Sequence, residues 1–246
     1  MKSITSKGVV KKELEICLRK FDTKNSLPFV DELLSRLLNV KIKFPLLEYC
    51  ASEIYLTIPE NSQIKVCDEI ASLKTIGGNV LIGIILQKRL DKHFNQSLKK
   101  AAEYIAAGNE WYVTDIIGER VYGWSLLHEP GKTLPELKKL SRHESTWVVR
   151  SLGAGSHYAI KKGLDKKNVE EVFKLLLSLS DAKNFHVKTG IGWAAKTTAK
   201  FHPEIIKKYS NELSQENVGQ WFRGKVKIGL ERNEYVKARR SKNHLK

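Results

Sequence analysis

The sequence predicts an all-α protein, a superhelical solenoid of stacked helical repeats with a concave basic face. Three observations carry that expectation. Apolar residues recur at intervals of three and four along nearly the whole chain, prolines are few, and an aromatic-and-charged motif returns at a near-constant step. Only six prolines interrupt the 246 residues. No run of strict alternation is bounded by the Asn-Gly or Asp-Gly turns that close hairpins, so strands are not expected.

Apolar spacing marks the helices in order along the chain. Leu27, Val30, Leu34, Leu37 and Leu38 share one helical face, because 3.6 residues per turn brings i, i+3, i+4 and i+7 together. The same spacing joins Leu46, Leu47, Cys50, Ile54 and Ile58, and later Val169, Val172, Phe173, Leu176 and Leu177. Breaks are expected at Pro59-Glu-Asn-Ser, Gly77-Gly-Asn, His128-Glu-Pro-Gly, Lys162-Gly163 and His202-Pro203, where proline removes a donor and glycine loosens the backbone. No low-complexity linker separates these helices. Residues 1–246 are therefore expected to form a single repeat domain. Residues 1–100 would be divergent N-terminal repeats, 101–225 would carry the site, and 226–246 would be a basic C-terminal helix or tail.

Composition narrows the partners. Forty-three Lys and Arg against 27 Asp and Glu leave a formal net charge of +16, which points to a polyanion, nucleic acid first and an anionic membrane surface second. Nine basic and two acidic residues lie between Gln220 and Lys246, enough for salt-dependent attraction to DNA or for a solvated final helix. Five Trp, eight Phe and a 41% hydrophobic content supply a core and argue against wholesale disorder. Cys17, Cys50 and Cys67 are odd in number and form no C-x-x-C pair, so neither a disulfide scaffold nor a structural zinc site is expected. Met1 to Lys20 lacks the continuous apolar core of a signal peptide. The most apolar stretch, Val80 to Leu86, falls far short of the roughly 20 residues that span a bilayer. These features imply a reducing cytoplasm, with association to the nucleoid through DNA and no membrane.

The internal period is more specific. Tyr112-Val-Thr-Asp115, Trp147-Val-Val-Arg150 and Phe185-His-Val-Lys188 each place an aromatic three residues before a charge, and Gln-Trp-Phe-Arg223 is a looser fourth copy. The charged positions step by 35, 38 and 35 residues, a length that matches stacked helical pairs of about 34–47 residues. Asp115, Arg150, Lys188 and Arg223 are thus expected to line one surface of a solenoid. Glycines come after each: Gly118, Gly153 and Gly155, Gly190 and Gly192, Gly224 and Gly229. Glycine inside a helix costs roughly 0.5–1 kcal/mol relative to alanine, so its repeated use implies close approach by a neighbouring helix or by a phosphate backbone.

Asp115 is the only acid in that row, and Trp111 lies one turn before it on the same helical face. A carboxylate among Arg and Lys stays ionised. It can serve as a salt-bridge partner of Arg150, as a cap, or as a catalytic group. Trp193 comes after Lys188 in Thr189-Gly-Ile-Gly-Trp193-Ala-Ala-Lys-Thr.

The order Trp111-x-x-x-Asp115, Trp147-Val-Val-Arg150 and Trp193-Ala-Ala-Lys-Thr-Thr-Ala-Lys-Phe-His-Pro-Glu resembles the bacterial DNA alkylation repair family, the AlkD-type alkylpurine DNA glycosylases built from HEAT-like repeats. The resemblance spans roughly residues 105–225. It implies a catalytic Asp115, Trp111 and Trp193 cradling the lesion's deoxyribose, and Arg150 holding DNA near it. Glu110 stands where the better-known members carry a second aromatic, and Tyr112 where they are usually acidic. Backbone contacts are expected from Lys188, Arg223, Lys225, Arg239 and Arg240.

The implied chemistry is hydrolysis of the N-glycosidic bond of N3- or N7-alkylated, cationic purines in duplex DNA by a monomer, with no metal or other cofactor. Other catalytic patterns are missing from the sequence. Gly153-Ala-Gly155 lacks the third glycine and preceding strand of a dinucleotide loop, and His143-Glu144 lacks the second His of a metalloprotease helix. The seven His residues show no ligand spacing and are expected at the surface or as caps. The alternative function is a non-catalytic repeat scaffold binding DNA or an acidic protein through the same face.

Overall fold

A computed structural model describes residues 3–243, with side chains to residue 239. The described elements are almost all helices, and the chain packs as two compact units that divide after Val121. That division falls inside the 101–225 segment.

The first unit begins with a two-residue strand, β1 (Ser3–Ile4), paired in parallel with β2 (Lys41–Ile42). This corrects the expectation of no strands. Two residues per strand are too few to show an alternation, so the pairing leaves no trace in the hydrophobic pattern. The helices of this unit are α1 (Lys7–Leu18), α2 (Leu27–Leu33), α3 (Phe44–Thr57), α4 (Gln63–Ser72), α5 (Ile76–Gly108) and α6 (Trp111–Gly118). A π-helical turn at Leu34–Leu38 extends α2. Its buried face is Phe29, Val30, Leu33, Leu37 and Leu38, whereas Leu27 is 55% exposed. The expected 3.6-residue face is wrong here for two reasons. Pro28 opens the helix and leaves Leu27 at its rim, and the wider turn shifts the register of the residues beyond it.

The expected breaks hold at Pro59, His128, Gly163 and Pro203. Gly77-Gly-Asn is instead the first turn of α5. The break lies just before it, at Lys74 with φ 52°, and Thr75 caps the helix by accepting the Gly78 amide at 3.0 Å. The Val80–Leu86 stretch lies inside α5 and is buried except for the half-buried Ile84. No helix among the described residues is long and apolar enough to cross a membrane.

Polar side chains fix α5 to its neighbours. It bends at His93 (φ −132°, ψ 48°), whose Nε2 lies 2.6 Å from Glu60 Oε1. Buried Arg89 donates to the Glu60 carbonyl at 3.0 Å, Gln63 Oε1 at 2.6 Å and Gln96 Oε1 at 2.9 Å. Arg120 donates to Glu48 at 2.6 Å and lies 5.4 Å from the Phe44 ring centre. All three cysteines are buried and free, and burial pushes each thiol up to about 12.

A second π-helical turn, Glu119–Gly123, contains the division between the units. The second unit then holds α7 (Trp124–His128), α8 (Pro130–Leu140), α9 (Thr146–Lys161), α10 (Lys166–Leu177), α11 (Phe185–Phe201), α12 (Pro203–Lys208), α13 (Ser210–Leu213) and α14 (Gln220–Asn243). Helix starts are set by side-chain caps where the sequence supplies them. Asp165 accepts the Lys167 amide at 2.8 Å, and Asn184 accepts the His186 and Val187 amides at 2.9 and 3.2 Å.

Helices α9, α11 and α14 form one layer, with α11 packed between the other two. Their contacts run in the same order along each chain segment, so the three are parallel. Gly153 of α9 meets Gly190 of α11, and Gly192 and Lys196 of α11 meet Lys225 and Gly229 of α14. A Cβ on Gly153 would lie 2.0 Å from the Gly190 carbonyl oxygen, and one on Gly190 would lie 2.5 Å from that of Arg150. The glycines after the charged positions are therefore answered, at Gly153, Gly190, Gly192 and Gly229, by a neighbouring helix. Gly224 faces open space. Parallel neighbours one repeat apart are what a helical repeat requires.

Gly153→Ala is expected to destabilise the protein by about 2 kcal/mol or more, because backbone rather than a flexible side chain fills the space. Gly131→Ala, which meets nothing within 4 Å, is expected to leave stability unchanged or slightly higher. Urea denaturation of the two variants beside wild type measures both.

Candidate active site and nucleic-acid interface

The four periodic charges occupy comparable places in their helices. Asp115 is the fifth residue of α6, Arg150 the fifth of α9, Lys188 the fourth of α11 and Arg223 the fourth of α14. The period in the sequence is thus the period of helix starts, at residues 111, 146, 185 and 220.

In the first unit, Trp111 opens α6 and is 57% exposed, resting edge-on against Tyr112 with ring centres 5.9 Å apart. Asp115 lies one turn on and is half-buried. Around it Val113, Thr114, Ile116, Ile117 and Gly118 are buried, which fixes the helix and leaves the Trp111–Asp115 face outward. A cavity of about 740 Å³ at the junction of α5 and α6 is lined by Asp68, Lys100, Tyr104, Glu110 and Tyr112 among others, but by neither Trp111 nor Asp115.

In the second unit, Arg150 is only 5% exposed. Its side chain lies against Gly190, and Nη1 donates to the His186 carbonyl at 3.5 Å. Trp193 is half-buried on α11 and stacked on His157 of α9, with ring centres 4.0 Å apart and planes 25° apart. Thr197 Oγ1 donates to the Trp193 carbonyl at 2.9 Å and lies 2.7 Å from His157 Nδ1. The hydroxyl has one proton and gives it to the carbonyl, so His157 carries its own on Nδ1 and donates it. Burial, then Lys161 and Lys196, lower the His157 pKa to about 4, and the ring is neutral near pH 7.

A second stack joins the same two helices. Trp147 of α9 lies on His186 of α11 with ring centres 4.2 Å apart. The histidines were expected as surface or capping groups. His143 does cap, accepting the Ser145 amide at 3.0 Å on Nδ1, and His128 is at the surface beside Trp124, but His157 and His186 pack on tryptophans of a neighbouring helix. The available signal was spacing. His157 and Trp193, and Trp147 and His186, are each separated by 36–39 residues, about one repeat.

The expected backbone contacts are spread over two helices. Lys188 is half-buried in α11; Arg223 is exposed in α14 and donates to the Gln215 carbonyl at 3.2 Å; Lys225 is half-buried on Gly192. Arg239 is exposed, and the Arg240 side chain lies outside the described residues.

The described elements define a protein of stacked helices with an exposed tryptophan at the start of α6 and exposed cations on α14. Comparison with known proteins makes this specific. The model of the DNA alkylation repair enzyme family matches residues 41–221, and the chain belongs to that family. The fold is similar to that of AlkD2 from Streptococcus mutans, at 15% identity and a TM-score of 0.67, covering 85% of this chain and 97% of that one. No curated protein matches.

The His157 environment sets a pH dependence. The folded pKa lies below the ordinary 6.5, so as pH falls from about 6.5 towards 4 the unfolded chain takes up a proton that the folded chain does not. Stability contributed by the neutral ring is full above that window and is lost within it. Melting temperature measured from pH 7 to 4 is expected to fall less steeply for His157→Gln than for wild type.

Proposed function

We propose that the protein is a DNA glycosylase that hydrolyses the N-glycosidic bond of N3- or N7-alkylated purines in duplex DNA. The observation that carries this reading is an indole more than half exposed, one turn before a carboxylate, in a DNA alkylation repair enzyme family member. An exposed tryptophan adds nothing to the core, and its π face suits a cation.

A purine alkylated at N3 or N7 is positively charged and leaves readily without a general acid. The barrier is the oxocarbenium-like sugar, as in glycoside hydrolysis. Asp115 supplies the ionised carboxylate that stabilises this cation and positions water. Trp111 and Trp193 contribute indole faces, each worth about 0.5–2 kcal/mol to a cationic sugar. The Nδ1-protonated His157 behind Trp193 is uncharged, so it does not compete for the indole's electron-rich face. Arg150 holds the strand near the sugar, and Lys188, Arg223, Lys225, Arg239 and Arg240 contact backbone phosphates. The protein acts as a monomer, and the chemistry asks for neither a metal nor a Schiff base.

Asp115→Asn is expected to reduce release of 7-methylguanine and 3-methyladenine from methylated DNA by about 10²-fold or more, with binding to undamaged duplex intact. DNA binding by wild type without any base release would overturn the reading and favour a non-catalytic scaffold. Arg150→Ala is expected to weaken DNA binding and to flatten its salt dependence by roughly one phosphate contact. A binding titration across salt concentrations checks it.

A further inference from the structure

We propose that the cavity between the start of α4 and the bend of α5 is a small-phosphate site, where buried Arg89 and the open first turn of α4 hold one phosphate group, free or carried on a nucleotide. The site lies within the first unit and shares no lining residue with the cavity between α5 and α6. It includes neither Trp111 nor Asp115, so it stands or falls independently of the glycosylase reading.

The donors come from two elements. Helix α4 opens at Gln63 without a side-chain cap, because the Ser62 hydroxyl donates instead to Asn61 Oδ1 at 3.4 Å. Among the described residues, the backbone amides of Ile64 and Lys65 meet no acceptor, which leaves the positive end of the helix open. An open helix start says little by itself, and Arg89 is the group that asks for a ligand. It is only 4% exposed, and its Nε has no hydrogen-bond partner. A guanidinium carries five N–H donors. The Glu60 carbonyl, Gln63 Oε1 and Gln96 Oε1 take three of them, and all three acceptors are neutral. The Nε hydrogen and one on Nη2 remain, and that edge of the guanidinium suits two oxygens of one oxyanion. No carboxylate lies within 4.0 Å of Arg89 among the described residues. Burying a charge among neutral partners is costly, and a bound anion offsets that cost.

The cavity supplies room and a surplus of donors. Its volume of about 530 Å³ is many times the roughly 30 Å³ taken by one water. Its lining is Glu60, Asn61, Ile64, Arg89, His93 and Gln96. Asn61 accepts through its oxygen, so its Nδ2 is left to donate. Glu60, the one carboxylate in the lining, is engaged through both oxygens, by Lys92 Nζ at 3.1 Å and His93 Nε2 at 2.6 Å. Unused donors therefore face the cavity without matching acceptors, and an oxyanion, which only accepts, completes them. Gln96 is exposed, so its oxygen can turn away from Nη2 and give place to one from phosphate.

The probe is inorganic phosphate, titrated calorimetrically into the full chain at constant ionic strength. Wild type is expected to show one saturable site. Arg89→Lys keeps the charge but loses the two-oxygen edge, and Asn61→Asp sets a carboxylate beside the open helix start from an exposed position. Each is expected to bind phosphate about tenfold more weakly or worse. Circular dichroism checks that the variants fold, and Asn61→Asp decides alone if Arg89→Lys does not. No saturable binding by wild type, or equal binding by wild type and folded Asn61→Asp, overturns the proposal. Deoxyadenosine 5′-monophosphate, titrated in the same way, tells the sources apart. Tighter binding than inorganic phosphate supports a nucleotide ligand, and equal or weaker binding supports free phosphate. Duplex binding against salt is measured in parallel, and its slope is expected to be the same for wild type and Asn61→Asp. A shallower slope in the variant assigns these donors to a DNA strand and overturns the small-phosphate site, whatever the outcome of the base-release assay.

Discussion

The second unit depends on backbone meeting backbone where α9 crosses α11 at Gly153 and Gly190. No side chain larger than a hydrogen fits there, and this closeness decides what the flanking residues can reach. Trp147 meets His186 on one side of the crossing, and His157 meets Trp193 on the other. The same device recurs at Gly229, where α14 comes down onto α11. Small residues, more than large ones, set the spacing of the helices and through it the geometry of the aromatic and charged groups. Because dispersion contacts fall off steeply with separation, opening this crossing would loosen both stacks together.

Charge is sorted by layer. Six of the eight lysines of α8, α10 and α12 have a glutamate within 4.0 Å. Where α11 meets α14, Lys196 lies among Arg232, Lys225 and Lys200, whose charges oppose its own, a local cost to the free protein. Sites shaped for a ligand commonly lower the stability of the empty fold, and their removal then raises it. The net charge of +16 is thus less informative than its distribution.

The repeat was legible because its signal is carried by helix starts, and those are marked by motifs that recur every 35–38 residues. Trp111, Asp115, Arg150 and Trp193 could be picked out because order and spacing, taken together, are far more specific than any one residue. The burial of Arg150 could not be read, since an arginine against a glycine on another helix has no local signature. The contacts of His157 and His186 were missed for the same reason, each tryptophan lying a whole repeat away. The π-helical turns were invisible because one extra residue in a turn leaves composition unchanged while rotating every later side chain. The division after Val121 has no linker to announce it. It sits in Glu119-Arg-Val-Tyr-Gly123, a stretch without proline or change in polarity.

The three buried cysteines bear on the chemical setting in which an alkylation repair protein works. Electrophiles that methylate purine nitrogens also attack thiolates, and the thiolate rather than the thiol is the reactive form. With each thiol pushed up to about 12 by burial, the thiolate is disfavoured near pH 7. Burial also denies the reagent a path to sulfur. The fold therefore spares its own nucleophiles from the damage its family is named for repairing.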